Sequence, residues 1–137
     1  MVKELIHDPI LLAQTSEPAG PQDRGTGRDL LDTLLHHRET CVGMAANMIG
    51  VCRRIICFDC GGTLLTLYNP QILKAWDSYD TEESCLSLLG GPRKCRRWRK
   101  IKVQYETEDG KLRIRTFTDF PAQIIQHEID HCNGILI

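Results

Sequence analysis

The chain has 137 residues, with 17 Lys and Arg against 18 Asp and Glu, a formal net charge of −1. That length predicts one domain over residues 1–137, and 42% apolar with 26% charged residues argues against intrinsic disorder. The balanced charge argues against a nucleic-acid binder working by bulk electrostatics, so no specific DNA contact is expected, and no apolar run approaches the ~18 residues of a membrane-crossing helix.

Residues 1–10 carry charge and no long apolar stretch, which predicts no secretory signal and a cytoplasmic setting. Asp8-Pro9 signals a turn before a short apolar run. Residues 14–27 hold Pro18, Gly20, Pro21, Gly25 and Gly27 and read as a loop. Leu30, Leu31, Leu34 and Leu35 recur at helical spacing and predict a helix over about 28–39. Residues 41–50 (Cys-Val-Gly-Met-Ala-Ala-Asn-Met-Ile-Gly) are small and glycine-bounded, which suits close approach of the backbone to another group. Arg54 to Asp59 and Thr63 to Tyr68 flank Gly61-Gly62 and predict a hairpin, with Gln71 to Trp76 extending the sheet. Ile101 to Glu106 and Lys111 to Phe117 flank Asp109-Gly110 and predict a second hairpin, in which Ile101, Val103 and Tyr105 alternate. The last helix starts at Thr118 or Asp119, either of which can cap it, carries Pro121 in its first turn and stops at Asn133-Gly134. These elements predict an α+β fold, an antiparallel sheet packed around the C-terminal helix with one N-terminal helix.

The seven cysteines (Cys41, Cys52, Cys57, Cys60, Cys85, Cys95, Cys132) form an odd set, which fits a reducing compartment and thiols that are free, buried or metal-bound. Cys57 and Cys60 make a C-x-x-C with no second pair to complete a four-thiolate zinc site, and read as small buried hydrophobes. Six of the eight residues from Arg93 to Lys100 are basic. The segment reads as a solvated loop entering a strand, or alternatively as a patch facing an anionic partner such as ribosomal RNA.

The stretch that carries chemistry is Gln126-His127-Glu128-Ile129-Asp130-His131. Histidines at i and i+4 lie one above the other on a helix face, so both rings can reach one divalent metal. The glutamate after the first histidine can take a proton from a water on that metal, the logic of HExxH hydrolases. A catalytic site of this kind wants a third protein ligand and an open position. The third ligand comes from His7, His36, His37, the carboxylates or the cysteines. Cys85 stands out, because its surroundings (Glu82-Glu83-Ser84-Cys85-Leu86-Ser87) are polar and turn-like.

Three segments, in order, resemble the signature motifs of the peptide deformylase family. The family's G-Φ-G-Φ-A-A-x-Q (Φ apolar) reads here Cys41-Val42-Gly43-Met44-Ala45-Ala46-Asn47-Met48. Its E-G-C-L-S reads Glu83-Ser84-Cys85-Leu86-Ser87, and its H-E-x-D-H reads His127-Glu128-Ile129-Asp130-His131. The resemblance implies that Cys85, His127 and His131 ligate one divalent metal, Fe(II) in the cell with zinc or nickel often in its place. It implies Glu128 as general base and then acid, and the Leu86 backbone N–H as a donor to the oxyanion. Val42, Gly43 and Ile124 match positions lining the substrate cleft, and Glu83 with Arg97 matches a structural ion pair. The implied reaction removes the formyl group from the N-terminal methionine of nascent polypeptides, and the basic Arg93–Lys100 segment is a candidate contact with the ribosome surface. A formyl carbon carries only hydrogen, so it can approach a metal centre that a bulkier amide cannot reach.

The chain departs from the pattern at three positions. Cys41 and Ser84 replace glycines. Met48 stands where the family has the glutamine whose amide donates to the substrate-binding oxyanion site, and Met has no N–H to offer. One lost donor of this kind typically costs ~10²–10³ in rate, so reduced activity is expected; Asn47 carries an amide one residue away. The alternative in a different class is a deformylase-like protein that binds metal or formyl-peptide without turnover.

Overall fold

One five-stranded antiparallel sheet organises the chain in the computed structural model, which describes residues 1–85 and 88–137. Strands β1 (Gly43–Ala45), β2 (Ile55–Cys60), β3 (Thr63–Cys85), β4 (Leu88–Glu106) and β5 (Leu112–Thr118) lie side by side in chain order. Three helices accompany them: α1 (Pro9–Leu12), α2 (Arg24–His36) and α3 (Asp119–Cys132). Among the described residues no helix is long and apolar enough to cross a membrane.

Both hairpins form where the turn signals put them, with Cys60 opposite Thr63 and Glu106 opposite Leu112. The helix α3 ends at Asn133 as expected, while Thr118 occupies its N-cap position without a side-chain cap. Asp8 does more than turn the chain: its carboxylate accepts from the Ile10 N–H at 2.9 Å and caps the one-turn helix α1.

Two expectations need correction. The N-terminal helix spans Arg24–His36 and not about 28–39, and part of the expected loop, Pro21–Asp23, is a 3-10 turn leading into it. The glycine that argued for loop, Gly27, lies where an added Cβ would stand 1.9 Å from the Tyr68 hydroxyl, so its smallness serves packing. The basic Arg93–Lys100 segment is not a loop but lies within β4. Its register explains why: Glu83, Glu82 and Asp80 on β3 face Arg93, Lys94 and Arg96 on β4. Opposite charges paired across strands stabilise a ladder whose composition alone looks solvated.

The sheet separates two cores. On one face Ile56, Phe58, Leu67, Ile101, Val103 and Phe117 pack against Ile124, Ile125 and Ile129 of α3. On the other, Met44, Ile55, Cys57 and Tyr68 pack against Leu30 and Leu34 of α2, together with Met48 and Ile49. Because helices cover both faces of β2, its Ile55 to Phe58 are all buried, and the strand shows no polar alternation. Cys57 is a buried free thiol of this core, and Thr66 donates to its sulfur at 3.7 Å.

Candidate metal centre and cleft

The helix α3 turns one face into the sheet and carries His127 and His131 one turn apart, their ring centroids 4.4 Å from each other. The end of β3 brings Cys85 against them. The ligand atoms of Cys85, His127 and His131 lie within 4.8 Å of one another. The residues singled out on separate elements of the sequence therefore converge.

The rings are fixed from behind. His127 Nδ1 donates to Glu83 Oε1 at 2.7 Å, which turns Nε2 away from that carboxylate and sets the tautomer. Glu83 also receives Arg97 Nε at 3.0–3.1 Å, Arg97 Nη2 at 2.7 Å and Gln123 Nε2 at 2.8 Å. Arg97 reaches on to Asp130 Oδ2 at 2.7 Å. One buried guanidinium thus ties the β3–β4 hairpin to the helix that carries both histidines. His131 Nε2 donates to the main-chain oxygen of Ile137 at 3.0 Å. Its Nδ1 stands 2.9 Å from Glu128 Oε1, yet the two are not aligned as a hydrogen bond, and both atoms are buried without a hydrogen-bond partner.

The charges follow this geometry. Burial works against the Glu83 carboxylate, but His127, Arg97 and Gln123 outweigh it and hold the group well below the usual carboxylate range. Burial raises the Cys85 thiol, and the adjacent His127 and His131 rings overcome this to bring it down to about 7. Burial lowers the histidines, while the Cys85 sulfur and the nearby carboxylates raise His127 to about 9 and His131 well above its ordinary value. The thiol and imidazolium protons are what a divalent ion displaces on binding. A sulfur and two nitrogen donors, with orphaned polar atoms on His131 and Glu128 beside them, fit a zinc-like or ferrous ion with a position left for substrate.

A cleft of about 390 Å³ opens over these groups, lined by Val42, Gly43, Cys85, Ile124, His127 and Glu128. Gly43 is held to its identity: an added Cβ would meet Ile124 Cγ2 at 2.5 Å and Glu128 Oε2 at 2.9 Å, so the β1 backbone lies directly on the carboxylate. Cys41 and Ser84, the two side chains in place of family glycines, also line the cleft, and neither takes a positive φ. The Cys41 thiol donates to Gly43 O at 3.0 Å and is pushed up to about 12 by burial and by Glu128.

Met48 is fully buried and does not line the cleft; its sulfur accepts from the Ala45 N–H at 3.4 Å within the α2-side core. Asn47 does not take over the missing donor. Its Nδ2 donates to the His131 carbonyl at 2.9 Å, and so is spent on the end of α3. Leu86 lies outside the described residues. Sequence reasoning missed the contact of Glu83 with His127, and it missed Gln123. The signal for Gln123 was its place four residues before His127, on the same helix face.

Comparison with known proteins agrees with this construction. The family model for polypeptide deformylase matches residues 4–137. A peptide deformylase of Clostridium beijerinckii is 47% identical over 137 residues, all of both chains, and one of Heliobacterium modesticaldum is 33% identical over 132 residues, 94% of this chain and 85% of that one. The crystal structure of peptide deformylase from Thermotoga maritima superposes with a TM-score of 0.88 at 27% identity, covering 99% of this chain and 95% of that one. A peptide deformylase of Acinetobacter baumannii, solved with Met-Ala-Ser bound, has a TM-score of 0.88 at 26% identity, covering 99% of this chain and 97% of that one. The chain belongs to the polypeptide deformylase family.

Proposed function

We propose that this chain hydrolyses the N-formyl group of the N-terminal methionine of nascent polypeptides, with Cys85, His127 and His131 holding one divalent metal, ferrous in the cell and replaceable by zinc or nickel. The observation that carries the reading is the convergence of those three donors within 4.8 Å beside an unpaired, buried Glu128 oxygen. When bound, the ion supplies Lewis-acid polarisation of the formyl carbonyl and lowers the pKa of a water.

The remaining work falls to the protein's own residues. Glu128 takes a proton from the attacking water through its orphaned oxygen and passes it to the amine as the formyl C–N bond breaks, releasing formate. Its place against Gly43 and His131 keeps it dry and aimed into the cleft. Glu83 fixes the His127 ring, and Arg97 fixes Glu83. Val42 and Ile124 form the apolar walls that receive the methionine side chain. The oxyanion is met by the Leu86 N–H, and the Met48 side chain contributes no donor. The Met-Ala-Ser bound to the Acinetobacter relative is a peptide of the class this reaction leaves behind.

We further place the protein in the cytoplasm, with the basic Arg93–Lys100 strand segment turned toward the ribosome. The test of the reaction is formate release from a formyl-Met-Ala-Ser peptide by protein loaded anaerobically with Fe(II). Release that disappears on chelation and returns with metal is expected; a loaded, folded protein that releases no formate would refute the reading.

A further inference from the structure

The helix α2 and its core cover the second face of the sheet over β1, β2 and the start of β3, up to Tyr68, and meet β3 again at its end, where Cys85 packs against them. Farther along, the inner positions Ile72, Ala75, Ile101 and Val103 pack toward α3, while on the opposite face Lys74, Ser78, Trp98, Lys100 and Lys102 are exposed and Trp76 is half-buried. On that open face Lys74, Trp76 and Ser78 of β3 stand in register with Lys102, Lys100 and Trp98 of β4. The chain's two tryptophans are both here. Lys74 Nζ and Lys100 Nζ each lie 4.9 Å from the Trp76 ring centre, and Trp98 is 38% exposed.

We propose that this face binds single-stranded RNA. The charge is segregated, although the chain as a whole is near neutral. Lys74, Lys100 and Lys102 have no carboxylate partner among the described residues, whereas Arg97 is buried between Glu83 and Asp130 and Arg96 pairs with Asp80 at 3.3 Å. The basic run is therefore not the surface as a whole; three lysines and two indoles are. Ammonium groups neutralise phosphates, and indole faces stack on unpaired bases. Neighbours on this face stand ~5 Å apart across strands and ~7 Å along them, which suits successive nucleotides. An acidic protein would use the lysines and leave the indoles idle. None of Lys74, Trp76, Trp98, Lys100 and Lys102 lines the cleft, so RNA and substrate can bind together. The inference narrows the ribosome reading and rests on it only for which RNA is met in the cell.

Because Trp76 and Trp98 are the sole tryptophans, indole fluorescence reports on this face alone. Titrating the full chain with an unstructured RNA 12-mer at low salt is expected to quench it, with log K falling against log salt at a slope of about −2 for three neutralised phosphates. The triple variant Lys74→Glu, Lys100→Glu, Lys102→Glu should weaken binding at least tenfold, and the milder Lys→Gln set should do so by several-fold, both with formate release unchanged. No quenching by RNA, undiminished binding by a folded variant, or quenching by polyglutamate or anionic vesicles but not by RNA would overturn the proposal. RNA binding without formate release would instead count against the enzyme reading and leave this face standing.

Discussion

The side-chain amide of Gln126 lies on the backbone of Trp98, donating to its carbonyl oxygen at 2.7 Å and accepting from its N–H at 2.8 Å. Strand β5 pairs with β4 only as far as Thr118 opposite Lys100. Two residues farther along β4, at Trp98, a helix side chain takes the place of a strand neighbour. This fixes the position of α3, and of the adjacent His127, against the hairpin that carries Cys85.

Gln126→Leu should leave both Trp98 backbone groups unpaired and lower stability by about 1–3 kcal/mol. Metal affinity should fall with it, because the histidine helix loses its tie to β4. Urea unfolding and a competitive zinc titration measure the two effects; unchanged stability would show that water serves Trp98 equally well.

Glu83 and Arg97 give an acid-dependence with a defined sign. Folding lowers the Glu83 pKa, so its stabilisation is complete above the unfolded carboxylate value of about 4.3 and drains away as pH falls toward the much lower folded value. Arg97→Met leaves Glu83 and Asp130 without their shared cation and should cost about 3–5 kcal/mol at pH 7. The deficit should shrink at pH 3. Urea midpoints of the metal-free proteins at the two pH values test this, and a deficit that grows in acid would contradict it.

Glu128→Gln keeps the shape of the side chain and removes its basicity. Metal stoichiometry should stay at one, while formate release should fall by at least ~10². Surviving activity would remove Glu128 from the proton-transfer role.

Met48→Gln probes the departure in the first motif. The core around Met48 reaches Cys41 and Cys85, so an amide at this position can extend to the cleft floor. It should raise kcat/KM on formyl-Met peptides at least tenfold, with a stability loss of about 1–3 kcal/mol from a polar group set among Leu30, Leu34 and Ile55. An unchanged kcat/KM in folded, loaded protein would mean that the oxyanion is already fully served.

What could be read from the sequence was local. The i, i+4 histidines, the stop at Asn133-Gly134 and the two glycine-containing turns each depend on a few neighbouring residues, and each stands where expected. The rest depended on partners far along the chain. Gly27 is a glycine within a helix because Tyr68 packs against it, Glu83 orients a ring 44 residues away, and Asn47 is held by the His131 carbonyl. The Arg93–Lys100 segment looked like loop because its charges make sense only when paired with Glu83, Glu82 and Asp80. Each of these is a tertiary contact, invisible to periodicity or turn chemistry.

The ligand set is tested most directly by X-ray absorption at the zinc edge on stoichiometrically loaded protein. One sulfur at ~2.3 Å and two imidazole nitrogens at ~2.0–2.1 Å are expected, with the sulfur lost in Cys85→Ala. A metal shell without sulfur in the unmutated chain, or one unaltered by that substitution, would contradict the account.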